Sequence, residues 1–140
     1  MTDLQIAKKN LEWHTICLCQ DEKCLFSEKR GIAPMMGFIA DNIDLEGYSV
    51  ADLVVGKAAA LLFVKCKIKA VFAKTLSKGG EEVLKNNNIP VEYETLAEKI
   101  INRDGTDICP MEKTVLQTSD PEEGYMLLKN KLQSMKKGNY

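Results

Sequence analysis

Histidine is nearly missing from this sequence: His14 stands alone in 140 residues. It reads as a strand-end residue rather than a ligand, and a Cys–His nucleophile pair would need it to meet a cysteine through the fold. Excess charge of one sign is missing too. Nineteen basic and 20 acidic residues give a net charge of −1 and a pI near 5.9, so no general attraction to nucleic acid or anionic lipid is expected. There is no P-loop and no GxGxxG, and Gly79-Gly80 is too small a glycine signal to define a phosphate site. Cys17-x-Cys19 has no second paired-cysteine unit, whereas zinc usually takes four ligands; no metal or other cofactor is expected. The N-terminal stretch lacks the apolar core of a signal peptide, and no apolar run approaches the roughly 20 residues that span a bilayer. The expected compartment is the cytoplasm, where the five cysteines would be free thiols.

What is present is ordinary globular composition, 45% hydrophobic and 28% charged, which predicts one domain over residues 1–140 around one core. The centre of that core is expected in Ser49–Cys66, SVADLVVGKAAALLFVKC. From Leu53 to Val64 every residue is apolar or small except Lys57, which predicts a helix buried on all sides. Ser49 would cap it, with Asp52 at the capping-box position. Lys57 is the anomaly: it must snorkel outward, pair with a carboxylate, or line a cleft.

Before this stretch, Thr2–Glu12 reads as an amphipathic helix capped by Thr2 or Asp3. Thr15–Cys19 and Cys24–Lys29 read as a β-hairpin, and Pro34–Ala40 as a short helix. After it, Ile68–Thr75 reads as a strand, Gly80–Asn87 as a helix and Ile89–Tyr93 as a strand. Such a βαβ unit implies parallel pairing and a right-handed crossover. Ala97–Ile101 suggests a turn of helix, and Asn102–Gly105 a tight turn. Cys109-Pro110 opens one helix, and Asp120-Pro121 caps and opens the last.

The loop from Asn102 to Glu112 is the candidate functional segment. Cys109, at a helix start, would lie beside unpaired backbone N–H groups that favour a thiolate, and is the candidate nucleophile. Lys57 is its candidate catalytic partner. Asn102 and Arg103 are ligand-binding candidates, Arg103 for its planar fork. Glu112 is another, and can also bond back to the Cys109 backbone as in a capping box. Asp52 is the last, with helix capping as its alternative role. Each has a bland alternative in packing, capping or a solvated loop.

Three segments, SVADLVVGKAAALL, IINRDGTDICPMEK and DPEEGYMLLK, carry a family likeness. In them the chain resembles a bacterial family, the domain of unknown function 1893. The element order resembles the cytidine deaminase-like fold. The resemblance implies an α/β three-layer sandwich, a mixed sheet with helices on both faces. It also implies where a deaminase would hold zinc: an H-x-E motif falls on Lys57-Ala58-Ala59 and a P-C-x-x-C motif on Lys78–Glu82. Lys57, Gly79 and Glu82 replace the ligands and Ala59 the catalytic glutamate, so zinc-dependent deamination is not implied. Three readings stay open: a zinc-free enzyme using Cys109 on a small anionic or nucleotide-like substrate, a non-catalytic module for such a ligand, and a protein-interaction domain that forms homo-oligomers.

Overall fold

The computed structural model describes residues 1–102 and 104–137. Its frame is a five-stranded mixed sheet in the order β2-β1-β3-β4-β5. Helix α1 (Asp3–Asn10) opens the chain in a capping box. Gln5 N–H donates to Thr2 Oγ1 at 3.1 Å, and Thr2 N–H donates to the Gln5 side chain at 2.8 Å. A 3₁₀ turn over Leu11–Trp13 completes the helical stretch. Strands β1 (Ile16–Gln20) and β2 (Lys23–Ser27) form the expected hairpin. Asp21 and Glu22 take positive φ in its two-residue turn, the conformation whose twist matches the strands. Helix α2 (Ala33–Ala40) follows with its proline in the first turn.

Ser49–Cys66 departs from the expected long helix. Ser49–Val55 is strand β3, Gly56 breaks the chain, and only Lys57–Lys65 is helix α3. The strand lies mid-sheet, antiparallel to β1 and parallel to β4. A strand covered on both faces reads as a continuous apolar run, and periodicity cannot separate it from a buried helix. Ser49 is therefore no helix cap. Asp52 holds no capping-box position: it lies opposite Ile16 on one side and Ala73 on the other.

The βαβ expectation holds: β4 (Ala70–Ser77), α4 (Lys78–Asn86) and β5 (Val91–Ala97) follow in order, with β4 and β5 parallel. Ile101 pairs in a β-bridge with Ile108, in place of the helical turn expected at Ala97–Ile101. Two helices close the chain, α5 (Pro110–Thr114) and α6 (Pro121–Lys137), the latter capped by Asp120.

Strand alternation splits the core into two layers. Ile16, Leu18, Val50, Val71 and Ala73 face α3 and its neighbours, while Cys17, Cys19, Ala51 and Phe72 face α1. The result is an α/β three-layer arrangement with helices on both faces of the sheet. Cys19 and Cys24 stand opposite in the hairpin and form a disulfide, which corrects the expectation of five free thiols. The cause is register: antiparallel pairing brings their Cα atoms to 4.2 Å. Among the described residues no helix is long and apolar enough to cross a membrane.

Candidate cleft at the carboxyl ends of the strands

In an open α/β sheet, ligands bind beyond the carboxyl ends of the strands, where neighbouring connections diverge. Here that point is β3, from which the chain leads to β4 on one side while β1 pairs on the other. Three adjoining cavities lie there. The first, about 270 Å³, is lined by Thr15, Arg30, Gly31, Asp52, Leu53 and Val54. The second, about 70 Å³, shares Gly31 and Val54 with it and adds Cys109, Met111 and Glu112. The third, about 140 Å³, shares Ile100 and Glu112 with the second and is lined further by Lys57, Ser77 and Lys99.

Glu112 sits where the second and third cavities meet, and its role differs from the expected capping box on Cys109. Its carboxylate accepts from Lys57 N–H and from Ala58 N–H, both at 2.8 Å. It therefore caps α3 from a distant part of the chain. Gly56, at the N-cap position, has no side chain to do so, and a buried helix end needs acceptors. Cys109 N–H instead donates to Ile100 O at 2.9 Å. A Cβ on Gly56 would come within 2.4 Å of Glu112 Oε1, so glycine makes room for the carboxylate. The starts of α3 and α4 also pack closely, since a Cβ on Gly80 would lie 3.0 Å from Gly56 O.

Lys57 is the first residue of α3 rather than an intruder in its middle. Its Nζ donates to Leu116 O at 3.2 Å and ties the end of the α5 segment to α3. Cys109 is half-buried and lines the second cavity, while Lys57 lines the third. The two candidate catalytic residues thus stand on either side of Glu112. Asn102 supports its own turn: its Oδ1 accepts from Thr106 N–H at 3.0 Å, and its backbone N–H donates to Asp107 O at 2.8 Å. Asp107 pairs with Lys113, which holds its carboxyl below the usual range. Arg103 lies outside the described residues. His14 pairs with Glu28 and stacks on Phe26 at 4.4 Å between centroids, and it lines no part of the cavity that holds Cys109.

Asp52 is the residue the structure changes most. Its side chain is 6% exposed, at the wall of the first cavity. Burial pushes its carboxyl up to about 8, against the opposing pull of the Val54 and Leu53 backbone N–H groups. At neutral pH it is largely a protonated acid, able to donate one hydrogen bond and accept another. Arg30 and Thr15, beside it, escaped the sequence reading. No local sequence pattern links Arg30 to a strand residue 22 positions on.

The family model described as "Domain of unknown function (DUF1893)" matches residues 6–132. Among solved structures, a DUF1893 family protein from Thermotoga maritima is similar to this chain, with a TM-score of 0.84 and 28% identity over 94% of this chain and 91% of that one. No curated protein matches.

Proposed function

From a chain that belongs to the DUF1893 family, whose description assigns no reaction, we propose a module that binds a small anionic, nucleotide-like ligand in the cleft at the carboxyl ends of its strands. The observation that carries the proposal is that three unlike cavities adjoin, each sharing lining residues with the next. One end offers a neutral carboxyl, Asp52, beside Arg30 and Thr15. The middle is apolar, walled by Ile32, Val54, Ala59 and Met111. The far end offers Lys57, Lys99 and Ser77, with Glu98, paired to Lys78, and Glu112, bonded to the α3 start, also in its lining. A neutral carboxyl suits the donor–acceptor edge of a heterocycle, an apolar slot suits its ring, and cations at either end suit a phosphate or carboxylate.

The binding reading is preferred to a Cys109 enzyme for a geometric reason. A Cys–His type nucleophile takes its base within hydrogen-bond reach. Among the described residues no side chain hydrogen-bonds the Cys109 sulfur. The deaminase-like likeness belongs to this proposal as well. Its support is that Lys57 and Gly79-Gly80 fall at the adjoining starts of α3 and α4, where the overlay sets the two zinc motifs.

Thermal denaturation with nucleosides, nucleoside monophosphates and inorganic phosphate tests the reading. A monophosphate at 100 times its Kd stabilises by about 2.7 kcal/mol, which raises Tm by several degrees. Arg30→Ala, at an exposed position, is expected to abolish most of that shift. Absence of a shift with every compound, or a shift indifferent to Arg30→Ala and Lys99→Ala, defeats the proposal. Turnover of a bound compound that is lost in Cys109→Ser replaces it with the catalytic reading.

A further inference from the structure

On the face of the sheet opposite the cleft, three sulfurs meet. Alternation along β1 turns Cys17 and Cys19 toward α1, and the hairpin register sets Cys24 across from Cys19. Their sulfur atoms all lie within 4.8 Å of one another, with Cys17 Sγ 3.5 Å from Cys19 Sγ. Cys17 and Cys19 are wholly buried among Ala7, Leu11, Ala51 and Phe72, and Cys24 is half-buried on the edge strand.

Two chemistries fit three neighbouring cysteines: disulfide exchange and metal binding. Exchange at Cys19 is an in-line displacement. With a disulfide bond of about 2.05 Å added to the 3.5 Å approach, it would set Cys17 and Cys24 roughly 5.5 Å apart. The sulfurs are closer than that, so Cys17 meets the disulfide from its side, not along its axis. With the Cys19–Cys24 bond reduced, three sulfurs held this close can share one cation instead. Metal–sulfur bonds of about 2.3 Å place three sulfurs at corners about 4 Å apart.

We propose that Cys17, Cys19 and Cys24, once their disulfide is reduced, form a three-coordinate thiolate site for a soft monovalent cation of the copper(I) type. Zinc usually takes four ligands, and among the described residues the cluster holds three donors. Thiolates select soft ions, and the apolar setting of Cys17 and Cys19 leaves, among the described residues, no oxygen ligands for a harder one. Loading takes two steps. An external dithiol gives two electrons and two protons to the Cys19–Cys24 disulfide and is itself oxidised to a disulfide. The cation then replaces thiol protons, which pass to solvent, with no change in its own oxidation state.

The test uses full-length protein reduced with dithiothreitol, desalted without oxygen and titrated with copper(I) against a chromogenic chelator. One copper per chain is expected, with X-ray absorption reporting three sulfur neighbours. Cys17→Ser is expected to weaken retention by more than about tenfold, the lower end of the loss seen for supporting residues of metal sites. Cys24→Ser, at the half-buried edge, serves as the second variant if Cys17→Ser fails to fold. Retention is expected to survive Cys66→Ser combined with Cys109→Ser. Equal retention by Cys17→Ser and Cys24→Ser, equal uptake by the oxidised protein, or a zinc complex of the same strength overturns the proposal.

Discussion

A carboxyl group largely buried between strands holds its proton, and Asp52 makes that cost measurable. Its folded pKa of about 8 lies above the ordinary 3.8, so between those values the folded chain binds more protons than the unfolded one. Stability then falls as pH rises from about 4 to about 8, and levels off above. Each tenfold difference in proton affinity is about 1.4 kcal/mol, so the full effect is on the order of several kcal/mol. Asp52→Asn mimics the neutral acid and is expected to flatten this slope in urea denaturation followed across pH. An unchanged slope would mean that Asp52 is ionised and solvated in the folded state. Cys109 makes the second residue-scale prediction. Burial raises Cys17 and Cys66 to about 11 each, and the disulfide removes Cys19 and Cys24 from competition. Limited alkylation of the native, oxidised protein between pH 7 and 8 is therefore expected to label Cys109 first, as read by peptide mapping. Earlier labelling of Cys66 would make Cys109 a packing residue.

At the scale of elements, α3 depends on a residue 55 positions away. Removing the Glu112 carboxylate leaves two N–H groups at a buried helix start without acceptors, at a cost of about 1–3 kcal/mol. Glu112→Ala should lower the denaturation midpoint accordingly. Gly56→Ala should cost a similar amount, because its Cβ would strike that carboxylate. Together they should be non-additive: with Glu112 truncated the obstacle is gone, and Gly56→Ala becomes nearly neutral. Equal costs for Gly56→Ala in both backgrounds would show that the strain lies elsewhere. The same region exposes the limit of reading elements from pattern. The α1 start near Thr2, the proline-started α2, the β4–α4–β5 unit and the Asp120 cap were legible because each is signalled within a few residues. Ser49–Val55 was not, because a strand buried on two faces and a helix buried on all sides present the same unbroken apolar run.

For the whole molecule, the cavities are bounded by residues from β3, β4, α3, α4, α5 and the segments before β1, after β2 and after β5, so a ligand held there should stabilise the fold as a unit. Family and architecture were legible early, since the segments that carry the likeness also carry the chain's apolar runs and helix starts. By itself the sequence determined an α/β chain with a hairpin before a parallel unit, and the helix starts at Pro34 and Asp120. Only the tertiary structure decided that Asp52 is a buried acid beside Arg30, that Glu112 caps α3 instead of its own helix, that Lys57 and Cys109 flank it, and that Cys17, Cys19 and Cys24 converge. The division has a physical cause. Caps and turns are set by bonds between residues three or four apart, whereas burial, proton affinity and sulfur geometry depend on neighbours that strand pairing brings from far along the chain.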